Sequence, residues 1–220
     1  MRGKHARAGA LLAAVVTLAG LEGRAAADGE AGPAPAPNLP SLYQPKSEIG
    51  VAFTAGAGVA DFAHGDARTN TGLGPAWTLR ASAGTRRHVG VEATYVGSAQ
   101  SIHGLGLADS KTLLTNGVEG AVRVTAQIKL DAALGEIFVL GGLGWARYTV
   151  SGLPAATANL HPSDDVLTTP FGGGIALCWR GFYADARFIF RPTFRESLIT
   201  GTSNGDLTNW GVGLSAGYEL

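Results

Sequence analysis

The chain has a single cysteine, Cys178, in 220 residues. One thiol excludes an intramolecular disulfide and a four-cysteine metal site, and Cys178 is expected to be a small strand side chain. Charge is scarce too. Asp, Glu, Lys and Arg make up 15% of the residues, against about 25% in ordinary soluble proteins. Seventeen basic residues face seventeen acidic ones, so no cationic excess exists to hold a nucleic acid backbone. The longest apolar run, Ala10–Leu21, falls short of the roughly twenty residues a membrane-crossing helix needs. From Ile49 onward no ten-residue stretch repeats its apolar positions with a helical period.

The short apolar run has another use. It follows the basic start "MRGKHARAG" and precedes "AAADGE", where Ala25 and Ala27 fit a small-residue cleavage site. Basic start, apolar middle and small-residue exit describe a secretory leader, so residues 1–27 are expected to be removed after Ala27. Cleavage there discards four of the seventeen basic residues and one of the seventeen acidic ones, leaving a formal net charge of −3. No cysteine stands near that site, and an N-terminal lipid anchor is not expected. Residues 28–46 carry Pro33, Pro35, Pro37, Pro40 and Pro45. Proline at that density removes backbone donors from helix and sheet, which predicts an extended periplasmic linker.

What the rest of the chain has in abundance is alternation. Eight segments place apolar side chains at every second position: 49–60, 76–84, 89–97, 118–130, 137–148, 171–179, 182–190 and 209–220. Side chains alternate across an extended strand, so each segment is a strand with two unlike faces. The fifth fits least well, because Phe138 and Leu140 fall on the face otherwise given to Gly142, Gly144 and Ala146. The connections alternate in length. "TRRH", "DAALGE" and "RG" are short, with Gly181 supplying the positive φ of a two-residue hairpin. The stretches 61–74, 98–116, 151–168 and 192–208 are long.

Alternation alone does not say which face meets which solvent; the contents of the faces do. The polar faces are mostly Gly, Ala, Ser and Thr, with a few charges of mixed sign: Arg80, Glu92, Glu119, Arg123, Asp185 and Arg187. Such a face suits the crowded interior of a small barrel, where charges must pair. The opposite faces carry almost no charge and place Trp77, Trp145, Trp179, Phe182, Trp210 and Tyr218 toward strand ends. Aromatic rings at strand ends suit membrane interfaces, and strands of about ten residues suit a tilted crossing. Residues 47–220 are therefore expected to form an all-β, eight-stranded antiparallel up-and-down transmembrane barrel, with both termini and the short turns at the periplasmic end.

The leader, the eight alternating strands and a last strand with Tyr218 and an apolar terminal residue resemble the OmpA/OmpX-type outer-membrane barrel family over residues 47–220. The resemblance implies residence in the cell outer membrane among its lipids and lipopolysaccharide. It also implies recognition of Trp210–Leu220 by the barrel-assembly machinery, although such strands usually end in Phe and this one ends in Leu220. It implies no one activity, because folds host many functions. The leading expectation is a non-enzymatic protein with a structural or surface-interaction role carried by its long loops. A lipid-modifying enzyme of the lipid A deacylase kind and a narrow passive channel are the alternatives.

Candidate chemistry is thin. "HPSDD" (His161 to Asp165) gathers a His, a Ser and two acids, but three neighbours in a loop fix no nucleophile–base geometry. His64, His88 and His103 lack partners at metal-ligand spacing. No catalytic residue, metal or cofactor is expected. The polar feature that stands out is the interior charge set, with Arg80 and Glu92 its leading pair, nearly opposite each other across the "TRRH" turn.

Overall fold

The computed structural model describes residues 49–102, 111–130, 133–151, 163–194 and 207–220. The expected leader and linker lie outside the described residues. The elements run β1 (Val51–Phe62), α1 (Gly65–Asn70), β2 (Gly74–Ala83), β3 (Val89–Ile102), β4 (Lys111–Leu130), β5 (Ala133–Val150), β6 (Ser163–Thr168), β7 (Phe171–Trp179), β8 (Phe182–Arg191), β9 (Thr193–Phe194) and β10 (Asn209–Glu219).

Each strand pairs antiparallel with its neighbours, and β1 pairs with β10 from Ala52↔Glu219 to Phe62↔Asn209, which closes the sheet. Closure removes the two open edges that a flat sheet would expose to lipid. Ten strand segments make eight staves. β6 and β7 lie end to end beside β5, and β9 continues β8 beyond Pro192, pairing with β6. Proline offers no backbone donor, so it interrupts the ladder there. The described residues thus form a closed, antiparallel, eight-stranded barrel.

Its polarity is inverted relative to a water-soluble barrel. Leu143 is 72% exposed and Val139 61%, whereas Arg123 is 3% exposed and Arg80 5%. Outward positions on neighbouring strands carry Phe53, Leu79, Val91, Val122, Ile175 and Leu214, all exposed. At one end Phe53, Tyr218, Phe182 and Trp179 are register neighbours on four adjacent strands. Toward the other end stand Trp77, Tyr95 and Trp145, with Val118 paired to both Tyr95 and Trp145. Trp77 lies over Gly97, and its ring fills the space a side chain at position 97 would need. Two aromatic belts bounding an apolar band mark the lipid interfaces.

Several strands outrun that band. β4 has twenty residues; at roughly 3.3 Å per residue and a tilt of about 40° it rises ~50 Å, twice the ~25 Å band of such barrels. β3 and β5, with fourteen and eighteen residues, accompany it on the side of the long connections. The expected gaps at 98–116 and 151–168 are accordingly shorter: β3 continues to Ile102, β4 begins at Lys111, and Ser163–Thr168 is strand rather than loop.

Candidate functional site: the barrel interior

The interior is built of inward-facing side chains from every stave, stacked in layers. At the end with the short turns, Glu219 accepts hydrogen bonds from the Thr85 hydroxyl and, at 2.9 Å, from the Cys178 thiol. Arg86 Nε stands 3.3 Å from the same carboxylate. Cys178 is therefore a half-buried donor within a polar layer.

The middle layer gathers three arginines and three carboxylates. Arg123 on β4 contacts Glu136 on β5, donates to the Tyr183 hydroxyl at 2.6 Å, and reaches Glu92 at 3.3 Å. Its guanidinium lies 3.9 Å from the centroid of the Phe138 ring. Arg187 on β8 bonds Glu92 at 2.9 Å and Asp185 at 2.8 Å, with Phe138 5.0 Å away. Arg80 on β2 bonds Asp185 at 2.8 Å and the hydroxyls of Thr54 and Ser215 at 3.2 Å each. Three positive and three negative groups cancel, and each carboxylate accepts from at least one arginine. A charge in a water-poor interior is tolerable only when so compensated.

Five of the six residues singled out from the sequence meet in this layer: Arg80, Glu92, Arg123, Asp185 and Arg187. Glu119 does not. It sits in the next layer, accepting two bonds from Arg191 at 2.5 and 3.3 Å. The pairing of Arg80 with Glu92 is also looser than the hairpin count implies. Their strands place Arg80 opposite Thr94 and Glu92 opposite Ser82, so Arg80 Nε stays 3.7 Å from Glu92. The nearer partner of Glu92 comes from across the lumen.

Sequence reasoning did not single out Glu136, Tyr183 or Arg191. Glu136 falls in a segment read as a turn, and Arg191 lies just past the end assigned to its strand. Tyr183 was legible, because it precedes Asp185 and Arg187 on the same face at spacings of two and four. Phe138 and Leu140 do point inward, as their register requires. An aromatic ring belongs there because two guanidinium groups stack against it.

Beside Glu119 and Arg191 a cavity of about 70 Å³ remains, bordered also by Arg187, Ser98, Tyr148 and Asn209. The hydroxyls of Thr115 and Thr168 line it and have no protein partner among the described residues. The rest of its lining is largely apolar, so these hydroxyls are among the few groups there that a water could bond. Above it the mouth is filled by Phe62, Leu113, Tyr148, Val166 and Leu207, with Ala67 of α1 buried in the same cluster. Arg68 of α1 pairs with Asp61 on β1, which ties the small helix to the rim.

The enzyme-like stretch is not assembled among the described residues. Ser163 and Asp165 lie on one face of β6 and Asp164 on the other. Asp165 is held by Arg147 through two bonds of 2.8 and 2.7 Å. His161 and His103 lie outside the described residues.

An apolar exterior, aromatic belts and a paired polar interior define a transmembrane β-barrel of the outer-membrane type. No family model matches the chain, and no curated protein matches it. Among solved structures it is similar to Ail, the attachment invasion locus protein of Yersinia pestis, in complex with the heparin analogue sucrose octasulfate. That likeness has 13% identity, spans 79% of this chain and 100% of that one, and has a TM-score of 0.51. Neisserial surface protein A is 12% identical over 79% of this chain and 97% of its own, with a TM-score of 0.47. The N-terminal barrel of Pseudomonas aeruginosa OprF is 12% identical over 78% of this chain and 97% of its own, with a TM-score of 0.44. The likeness is one of fold, the closed eight-stranded antiparallel barrel.

Proposed function

We propose that this chain is a non-enzymatic, non-conducting outer-membrane barrel that works through its outer face, as an envelope-structural or surface-interacting protein. The observation that carries this reading is the contrast between its two parts. Among the described residues the interior is packed with paired charges and its mouth holds an apolar cluster, the arrangement of a filled core rather than of a channel. The strands next to the longest connections run well past the lipid band, which displays polar surface to the exterior. Lipopolysaccharide is the lipid that the outer aromatic belt meets, and Trp210–Leu220 is the segment offered to the assembly machinery. Ail binds a sulfated sugar, which makes a sulfated polysaccharide a reasonable first probe.

The test uses intact cells producing the full chain or a chain with 103–110 and 152–162 replaced by short turns. Barrel folding is followed by heat-modifiable migration on gels. Adherence to immobilised heparin and resistance of the envelope to detergent are the two readouts. Loss of either with shortened loops and a folded barrel supports the proposal. Indifference of both to the loops contradicts it. Release of fatty acid from lipid A that disappears in Ser163→Ala establishes the enzymatic alternative instead.

A further inference from the structure

The turn joining β7 to β8 puts an arginine where the backbone favours glycine or asparagine. Arg180 has φ 51 and Gly181 φ 84, the pair of left-handed residues that a two-residue hairpin requires. Glycine suits the second position, where any side chain would run into the Tyr218 ring. Arginine does not suit the first. A left-handed backbone is strained for a residue with a long side chain, and asparagine tolerates it better. Strain retained at one position points to what its side chain does.

The surroundings of Arg180 set it apart. Nine arginines are described, and at least seven meet a carboxylate, from Arg68 on Asp61 to Arg191 on Glu119. Arg180 meets none among the described residues. Its guanidinium instead lies 5.2 Å from the centroid of the Trp179 ring. Trp179 is exposed on the outer surface, in the aromatic row with Phe182 and Tyr218. The cation is therefore held at the rim of the apolar band, at the level of lipid headgroups. A guanidinium lying over an indole still offers N–H groups, which match a phosphate in a two-pronged fashion. The same end also carries exposed Arg87 and Lys129. Among the described residues its carboxylate Glu219 is turned inward and engaged by Arg86.

We propose that Arg180, stacked on Trp179 in a strained turn, forms a site for the phosphate of an anionic phospholipid in the periplasmic leaflet. The proposal rests on the orientation that puts the short turns in the periplasm and is independent of the outward role of the loops.

Native mass spectrometry of the detergent-solubilised full chain can test it, comparing the first bound molecule of phosphatidylglycerol with that of phosphatidylcholine. The unmutated protein should bind phosphatidylglycerol several-fold more tightly. Arg180→Asn, which the turn accepts, should bring the ratio close to one, and Arg180→Lys should keep much of it. Heat-modifiable migration confirms that the variants are folded. An unchanged ratio in Arg180→Asn, or no preference in the unmutated chain, overturns the site. Equal loss in Arg87→Gln would reveal diffuse rim charge and overturn it as well. Inorganic phosphate is added as a competitor. Abolition of the preference at millimolar concentration would assign a small-anion site and reject the lipid.

Discussion

Arg187 reaches across the lumen to Glu92: its Nη1 lies 2.9 Å from Glu92 Oε2, although ninety-five positions separate them. Arg80, on the strand beside Glu92, turns its Nη1 to Asp185 at 2.8 Å and leaves Nε 3.7 Å from Glu92. Glu92 is thus held more closely by an arginine from across the lumen than by the one on its own hairpin.

Removing one partner of a buried pair strands the other, at a typical cost of ~3–5 kcal/mol. Glu92→Ala should therefore weaken the barrel strongly, since Arg123 and Arg187 both lose an acceptor. In a double-mutant cycle the coupling of Glu92 with Arg187 should exceed that of Glu92 with Arg80. Urea unfolding of the refolded protein in detergent measures both. Equal couplings would contradict the cross-lumen pairing.

Phe138 supplies the ring against which Arg123 and Arg187 lie, at 3.9 and 5.0 Å. Phe138→Ala should cost roughly 3–5 kcal/mol, as large-to-small changes in a packed interior do. Phe138→Leu restores most of the volume without the π face and should cost less. The same unfolding assay separates them. If Phe138→Leu is as damaging as Phe138→Ala, the ring's electrostatic part matters more than its bulk.

Orientation can be tested in a Cys178→Ser background. Thr69 lies in α1 within the first long connection, and Arg87 lies in a short turn; both are exposed. An impermeant thiol reagent applied to intact cells should label Thr69→Cys and spare Arg87→Cys. The reverse pattern would invert the barrel.

The leader reading has its own check. Intact mass of the protein taken from the membrane fraction should correspond to a chain beginning at Asp28. A mass that includes residues 1–27 would refute it.

Much of this barrel is legible in the chain because lipid outside and crowding inside impose opposite demands on alternate residues. Trp77–Ala83 and Trp210–Tyr218 show that plainly. The pattern fades where the physical contrast fades. Beyond the lipid band both faces of β3 and β4 are polar or mixed, so Ser98–Ile102 and Lys111–Gly117 carry no strong alternation to mark them as strand. The site was legible by composition and not by partnership. Which charges share the interior follows from facing, whereas Glu92 with Arg187, or Glu119 with Arg191, follows from the stagger of a closed sheet. Nothing in the local sequence of β3 or β4 encodes a neighbour on β8.

The central claim is that the interior is a filled, charge-paired core and not a conduit. Planar-bilayer recording of the folded, unmutated protein tests it most directly. The account predicts a flat baseline with no sustained conductance steps under applied voltage. A steady, reproducible open level would mean that a continuous water path runs past Arg123, Arg187 and the plug at Phe62 and Tyr148, which contradicts the packing described above.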